Sequence, residues 1–161
     1  MTQVAPLSWS ELPIGRAAAC GVNDWMLLGG YPALHTGPVQ AADWFASYVM
    51  TYLERDVRPI TRVQNLALFQ HFLRLCSGRT GQLLNLSALA MEAGINQSTA
   101  RAWLSVLEAS YVVHRLPPCF VNFGKRLLKT PKLYFLDTGL AAWLLGARDA
   151  EQLALHPSAA P

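Results

Sequence analysis

Residues 86–116 read LSALAMEAGINQSTARAWLSVLEASYVVHRL, and the change of period inside this stretch decides the fold. Ser87 predicts an N-cap for a short helix, Ala88–Ala93, because its hydroxyl can accept one of the backbone N–H groups left over at a helix start. Gly94-Ile95-Asn96 then predicts a tight turn, with Gly94 at the position that needs a left-handed residue. Asn96 predicts the cap of the next helix, Gln97–Ala109. Ala90 and Ala100 are small where the two helices touch, and Leu104 and Leu107 extend the buried stripe. Gln97, Ser98, Arg101 and Ser105 fall on the outer face. After Ala109 the period drops from 3.6 to 2, and Tyr111–Leu116 reads as a strand.

Pro117-Pro118 forces an extended exit from that strand. Cys119–Phe123 and Leu133–Leu136 predict further strands, joined by a basic loop running from Gly124-Lys125-Arg126 to Lys132. Upstream, Gln82–Asn85 is a short extended piece. Helix, short turn, helix and then a β-hairpin with a basic tip is the winged-helix arrangement. Two longer helices precede it. One spans about Ala42–Val57, with Phe45, Tyr48, Val49, Tyr52 and Leu53 on one face, and Arg58-Pro59 stops it. The second spans about Gln64–Cys76, with Leu66, Phe69, Leu73 and Cys76 on its stripe, and ends at Ser77–Gly81. The first thirty residues read as irregular, broken by Pro6, Pro13 and Gly15, before the apolar stretch Trp25–Leu28 and the tight element Gly29-Gly30-Tyr31-Pro32. Beyond the hairpin, Asp137 or Thr138 caps a last helix to Leu145, closed by Gly146, and an Ala- and Pro-rich tail reads as frayed. The expected fold is therefore mainly α with a small antiparallel β-hairpin.

The chain has 161 residues, 52% of them hydrophobic and 14% charged, so it can bury a core and is far from the disordered class. No apolar run approaches the ~18 residues of a membrane span, and the start MTQVAPLSWSEL lacks the basic and apolar regions of a leader, so a cytoplasmic protein is expected. Cys20, Cys76 and Cys119 are odd in number and widely separated, which offers neither a disulfide framework nor a metal knuckle. His35, His71, His114 and His156 are scattered, and no metal is expected. The net charge of +3 is unevenly distributed. Residues 61–137 hold nine Lys/Arg against Glu92, Glu108 and Asp137, a net +6, while residues 1–60 carry −2 and residues 138–161 carry −1. An anionic partner for the middle of the chain follows as an expectation.

Catalytic motifs are missing from the sequence. The Gly124-Lys125 pair has Cys119 where a P-loop needs its first glycine, and Arg126 follows the lysine. GxSxG, HExxH and kinase signatures do not occur. Glu54-Arg55-Asp56 is the one dense charge cluster, and its i, i+2 carboxylates point to different faces, which suits a structural salt bridge better than acid–base work. The chain is thus expected to have no catalytic residues and to be no enzyme by itself.

The runs GGYPALH, SYVMTYLERDV and RTGQLLNLSALA, together with the stretch from INQSTARAWLSVLEASYVVHRL to KLYFLDTGLAAWLLG, resemble the domain of unknown function 4143. That domain follows the AAA-type ATPase core of many prokaryotic proteins. The resemblance covers nearly the whole chain and implies a fragment that lacks the P-loop core, with the end LALHPSAAP breaking off where the family continues. It implies no cofactor in this chain, ATP and magnesium belonging only to full-length relatives. It also implies that Gly29, Gly30, Tyr31 and Pro32 form a nucleotide-lid element. The domain scheme is then a lid-like helical segment over 1–60, a winged helix over 61–137, and a closing helix with its tail over 138–161.

The expected function is DNA binding. Gln97, Ser98, Thr99 and Arg101 would stand at base edges in the major groove, while Lys125, Arg126, Lys129 and Lys132 on the wing would meet phosphates. Trp103, Tyr111, Phe120 and Phe123 read as core rather than stacking platforms. The alternative uses the same winged helix as a module for docking an ATPase core or partner protein, or for homo-oligomerisation through the apolar stripe of the Ala41–Val57 helix.

Overall fold

The computed structural model describes residues 6–12, 21–52, 55, 57, 66–118 and 130–156. Among these residues the chain is mainly helical, with a two-stranded antiparallel sheet. After a 3-10 turn, Trp9–Glu11, come α1 (Val22–Leu28), α2 (Ala33–Thr36), α3 (Ala41–Tyr52), α4 (Leu66–Ser77), α5 (Leu86–Glu92) and α6 (Gln97–Ala109). Strands β1 (Val113–Leu116) and β2 (Lys132–Phe135) follow, then α7 (Thr138–Leu145) and α8 (Ala150–Leu155).

Local chemistry explains the central elements. Asn85, not Ser87, caps α5: its side chain accepts the Ala88 N–H at 3.0 Å, so Ser87 falls inside the first turn. Both residues suit a cap, and the extended backbone of Leu83–Asn85 beside β2 places the helix start two residues earlier than expected. Asn96 caps α6 as expected, accepting the Thr99 N–H at 2.7 Å. The turn between the helices is closed by Ile95 N–H to Ala90 O at 3.0 Å and Gly94 N–H to Met91 O at 3.1 Å, with Gly94 at φ +67°. The same closure ends α6: Val112 N–H reaches Leu107 O at 2.9 Å and Tyr111 N–H reaches Glu108 O at 3.1 Å. Here the left-handed position is filled by Tyr111 at φ +56°. Tyr111 is 45% exposed, so its ring is not the core residue expected from the sequence. Left-handed geometry turns the chain abruptly from helix into strand, and that turn leaves the ring outside.

The two strands pair with Val113 opposite Phe135 and Leu116 opposite Lys132. On the other edge of β2 the extended piece before α5 adds a partial third strand. Gly81 N–H donates to Leu133 O, Leu133 N–H to Gln82 O, and Leu84 N–H to Pro131 O, at 2.7, 3.0 and 2.9 Å. The strand expected at Cys119–Phe123 lies outside the described residues.

One hydrophobic core crosses the boundaries drawn from sequence. It runs from Leu34, Phe45 and Val49 through Phe69, Phe72 and Leu73 to Leu104, Leu107, Leu133 and Leu140. Trp103 sits edge-on to Phe69 and Phe72, with centroids 5.1 and 5.5 Å away. Each such pair adds roughly 0.5–1.5 kcal/mol beyond the burial itself. The apolar stripe of α3 is used here too, since Phe45, Val49 and Tyr52 are buried. It is therefore not the exposed oligomerisation stripe envisaged from the sequence.

Three helices, α1, the four-residue α2 and α8, were not apparent from periodicity. Helix α1 occupies a segment read as irregular. It is only seven residues long, starts at Gly21, and gains its cap when the Asp24 carboxylate accepts the Gly21 N–H at 3.2 Å. Helix α8 occupies part of the tail read as frayed. Asp149 caps it by accepting the Gln152 N–H at 2.8 Å, and Leu153 is buried against Met26 and Leu27 of α1.

Backbone packs closely where α1 meets α7. A Cβ on Gly139 would come within 2.7 Å of the Gly29 nitrogen and of the Leu28 carbonyl carbon, so only glycine permits the crossing. Asp137, 2% exposed, caps α7 through the Leu140 N–H at 2.7 Å and accepts the Gly30 N–H, 107 residues away, also at 2.7 Å. Burial raises its carboxyl above the usual carboxylate range, against the lowering influence of the backbone N–H donors and His35. Asp137→Ala should cost about 2–4 kcal/mol of unfolding free energy in urea titrations, since it removes a cap and strands a buried N–H. A raised folded-state value means that its protonation favours the native state. That contribution is complete below about 3.8, the usual Asp value, and is lost as the pH rises through the folded-state value. The stability gap between wild type and Asp137→Asn should therefore narrow from acid to neutral pH.

Candidate nucleic-acid interface

Four of the residues singled out from sequence come together on the first turns of α6. Gln97, Ser98 and Arg101 are exposed, and Thr99 is half-buried with its N–H held by Asn96. The inner face of the same helix carries Ala100, Trp103, Leu104 and Leu107, all buried, which fixes which way the outer face points. Ser105 and Ala102 complete that face. Short polar side chains there are already turned inward: Ser98 Oγ donates to Asn96 Oδ1 at 2.6 Å, and Ser105 Oγ to the Arg101 carbonyl at 3.0 Å. The Gln97 Nε2 donates to Ser87 Oγ of α5 at 3.0 Å. Arg101 keeps its guanidinium unpaired among the described residues. Lys132 is exposed at the start of β2. Lys125, Arg126 and Lys129 of the expected wing lie outside the described residues.

The carboxylates of the basic segment are all engaged. Glu92 pairs with Arg79 at 2.5 Å, and Arg79 also donates to the Leu75 carbonyl at 2.9 Å, tying α4 to α5. Glu108, at the far end of α6, is held by the Arg115 guanidinium of β1, with Nε at 2.9 Å. The Arg115 hydrogen bond is the main cause that lowers the Glu108 carboxyl below its usual value. Asp137 is buried on backbone amides. Glu92, Glu108 and Asp137 are the acids of residues 61–137, so no carboxylate there is left to repel an anion. The sequence supplied the charge count but not these pairings, because Glu108 and Arg115 meet only after α6 turns into β1.

Other features do not assemble into a chemical centre. Among the described residues no group of three His, Cys, Asp or Glu side chains could hold a metal ion. Cys76 is buried, and burial pushes its thiol up to about 12. No helix among the described residues is long and apolar enough to cross a membrane. Of the Glu54-Arg55-Asp56 cluster only Arg55 is among the described residues.

Of Gly29-Gly30-Tyr31-Pro32, expected to form a nucleotide-lid element, Tyr31 is half-buried against the core and Pro32 is exposed. Gly29 and Gly30 are buried; Leu7 N–H donates to Gly30 O at 2.6 Å and His35 Nε2–H to Gly29 O at 2.8 Å. The Tyr31 ring lies 4.8 Å from Trp44 and 5.0 Å from Tyr48, and its hydroxyl donates to Tyr48 at 3.2 Å. Burial, first, and then Tyr48 raise the Tyr31 phenol well above its usual value.

Residues 21–151 match a family described as a domain of unknown function (DUF8612). An uncharacterized protein of Mycobacterium bovis and another of Mycobacterium tuberculosis are each 35% identical over 150 residues. The match covers 92% of this chain and 34% of each relative, so the chain spans about a third of their length. No solved structure matches. These findings correct the resemblance drawn from the sequence: neither the family nor the relatives' names point to domain 4143 or to an AAA-type ATPase. Two of the runs that carried the resemblance, GGYPALH and the end of KLYFLDTGLAAWLLG, meet at the α1–α7 crossing, where close backbone packing restricts the residues that fit. The lid role of Gly29–Pro32 rested on that resemblance and goes with it.

The Glu108–Arg115 pair contributes to stability above the ordinary Glu range near 4.5, and the contribution is lost as pH falls through the lowered folded-state value. About a third of each side chain is exposed, so it amounts to less than about 1 kcal/mol. Glu108→Gln should therefore flatten the acid limb of the thermal-melting profile between roughly pH 3 and 5, and leave the melting temperature at pH 7 lower by no more than a few degrees.

Proposed function

The chain belongs to the domain of unknown function 8612 family, and we propose that it acts as a winged-helix module that binds duplex DNA through the outer face of α6. One observation carries this. Every carboxylate of residues 61–137 is paired or buried, while Arg101 stands unpaired among the described residues at the centre of an exposed helix face of short polar side chains. Such a face admits the close approach of a phosphate-lined groove without like-charge repulsion.

The order of elements supports the winged-helix reading. The extended piece 81–84, then α5 and α6, then β1 and β2, with β2 lying between 81–84 and β1, is the sequence and sheet order that such a domain requires. In this reading α6 enters the major groove with its N-terminal turns at the base edges. Lys132 and the basic residues Lys125, Arg126 and Lys129 extend the contact to the backbone and give affinity its salt dependence. The role is one of binding and not catalysis, and it concerns this segment of what in the mycobacterial relatives is a protein about three times as long.

Fluorescence anisotropy with random-sequence duplex DNA across a salt series tests it. Binding is expected at low salt and should weaken steeply as salt rises. Arg101→Glu should weaken it about tenfold or more, and Lys125→Glu with Arg126→Glu should reduce both affinity and the salt slope. No binding at low salt would sink the proposal and turn attention to the same face as a protein-docking surface.

A further inference from the structure

We propose that Gln97 and Arg101 form a two-residue purine reader, adenine for Gln97 and guanine for Arg101, with Ser87 as the positioning residue that holds Gln97 in place. This rests on the DNA-binding reading above and adds to it the class of base recognised.

The outer face of α6 is selective in what it offers. Ser98 and Ser105 have committed their hydroxyl protons to Asn96 Oδ1 and the Arg101 carbonyl. Among the described residues, Gln97 and Arg101 are left as the long side chains of this face with donors to spare. They are four residues apart, one above the other on the helix, about 6 Å along its axis. At about 3.4 Å per step that separation spans roughly two base pairs.

The two side chains differ in how they are held. The Arg101 guanidinium is unpaired among the described residues and presents a planar fork, the shape that matches the two acceptors O6 and N7 of guanine. Gln97 is anchored from outside its own helix, its Nε2 donating to Ser87 Oγ of α5 at 3.0 Å. A carboxamide has two N–H bonds, and the one pointing away from Oε1 can serve an anchor without touching the opposite edge. That edge keeps Oε1 and the second N–H side by side, which is the pattern that adenine N6–H and N7 complete. Because the anchor comes from α5, Gln97 has surrendered rotamer freedom before DNA arrives, so less ordering remains to be done on binding. Ser87 contacts no base in this scheme; it acts through Gln97.

The test is selection of duplexes from a random library by the whole chain, followed by anisotropy titrations on the selected duplex and on single-base changes. The expected motif holds an adenine and a guanine within two or three base pairs. Replacing that guanine should weaken wild type about tenfold and leave Arg101→Ala unaffected. Replacing the adenine should weaken wild type about tenfold and leave Gln97→Ala unaffected. Ser87→Ala should lose most of the adenine preference while keeping the guanine preference and the salt slope, a combination that general damage to the fold would not produce. Ser87→Thr, which keeps the hydroxyl, should restore it. Salt-dependent binding with no base preference, or full adenine preference in Ser87→Ala, overturns this proposal and leaves DNA binding standing. Absence of binding to any duplex at low salt overturns both.

Discussion

The buried carboxylate of Asp137 is the constraint on which the rest of the structure depends. It starts α7 by capping Leu140, and with its other oxygen it fixes Gly30 at the end of the first helical segment. One side chain thereby joins two stretches that are 107 residues apart in sequence. The cost of placing a carboxylate in a buried position is offset in part by its two hydrogen bonds, and both N–H groups would otherwise be orphans at helix boundaries. Gly139 lets the backbones close to contact, and Leu7 and His35 complete the arrangement from the N-terminal side. His35 donates through Nε2 to Gly29 O, and its Nδ1 is buried without a partner among the described residues. Its ring lies against Trp25, which lies in turn edge-on to Trp9.

From this base the molecule presents α5, α6 and the sheet as a unit. The long helix α4 supplies Phe69 and Phe72, and Trp103 of α6 rests on both. Arg79 locks α4 to α5 through Glu92 and the Leu75 carbonyl. Arg115 locks β1 to α6 through Glu108. Both ion pairs are partly exposed and contribute little to stability. Their larger effect is electrostatic: each sets a guanidinium against a carboxylate of the basic segment, so that neither Glu92 nor Glu108 is an uncompensated negative charge.

Signals that are local and periodic were legible in the sequence. Asn96 and Gly94 announce the turn before α6, the inward alanines and leucines announce its face, and the switch to alternating residues after Ala109 announces the strands. Asp137 could be read as a cap from its position before an apolar run. What was not legible is long-range. Nothing within reach of Asp137 in sequence indicates that its second oxygen belongs to Gly30, and the pairing of Glu108 with Arg115 exists only because Tyr111 takes a left-handed turn that glycine would more commonly fill. Helix α1 was missed because seven residues with a glycine start give too few turns for a period to show. Helix α8 did carry a signal, Asp149 followed three residues later by Gln152, but the alanines and prolines around it obscured the pattern. The likeness of runs such as GGYPALH to a different family misled; at the α1–α7 crossing Gly139 has no room for a Cβ, so glycine there reports close packing and not a role.

The α1–α7 crossing also defines how the molecule would carry mechanical load. Leu7 is fastened to Gly30, and Leu153 of α8 rests on Met26 and Leu27, so the described segments at either end of the chain are both attached to α1 or its immediate extension. A pull applied through the flanking segments would be borne by that helix and by the Asp137 clasp beside it. The α5–α6 pair and the sheet lie off this load path. The face carrying Arg101 would keep its shape under tension until the clasp gives way, so that the crossing serves the exposed helix as a strain relief serves a cable.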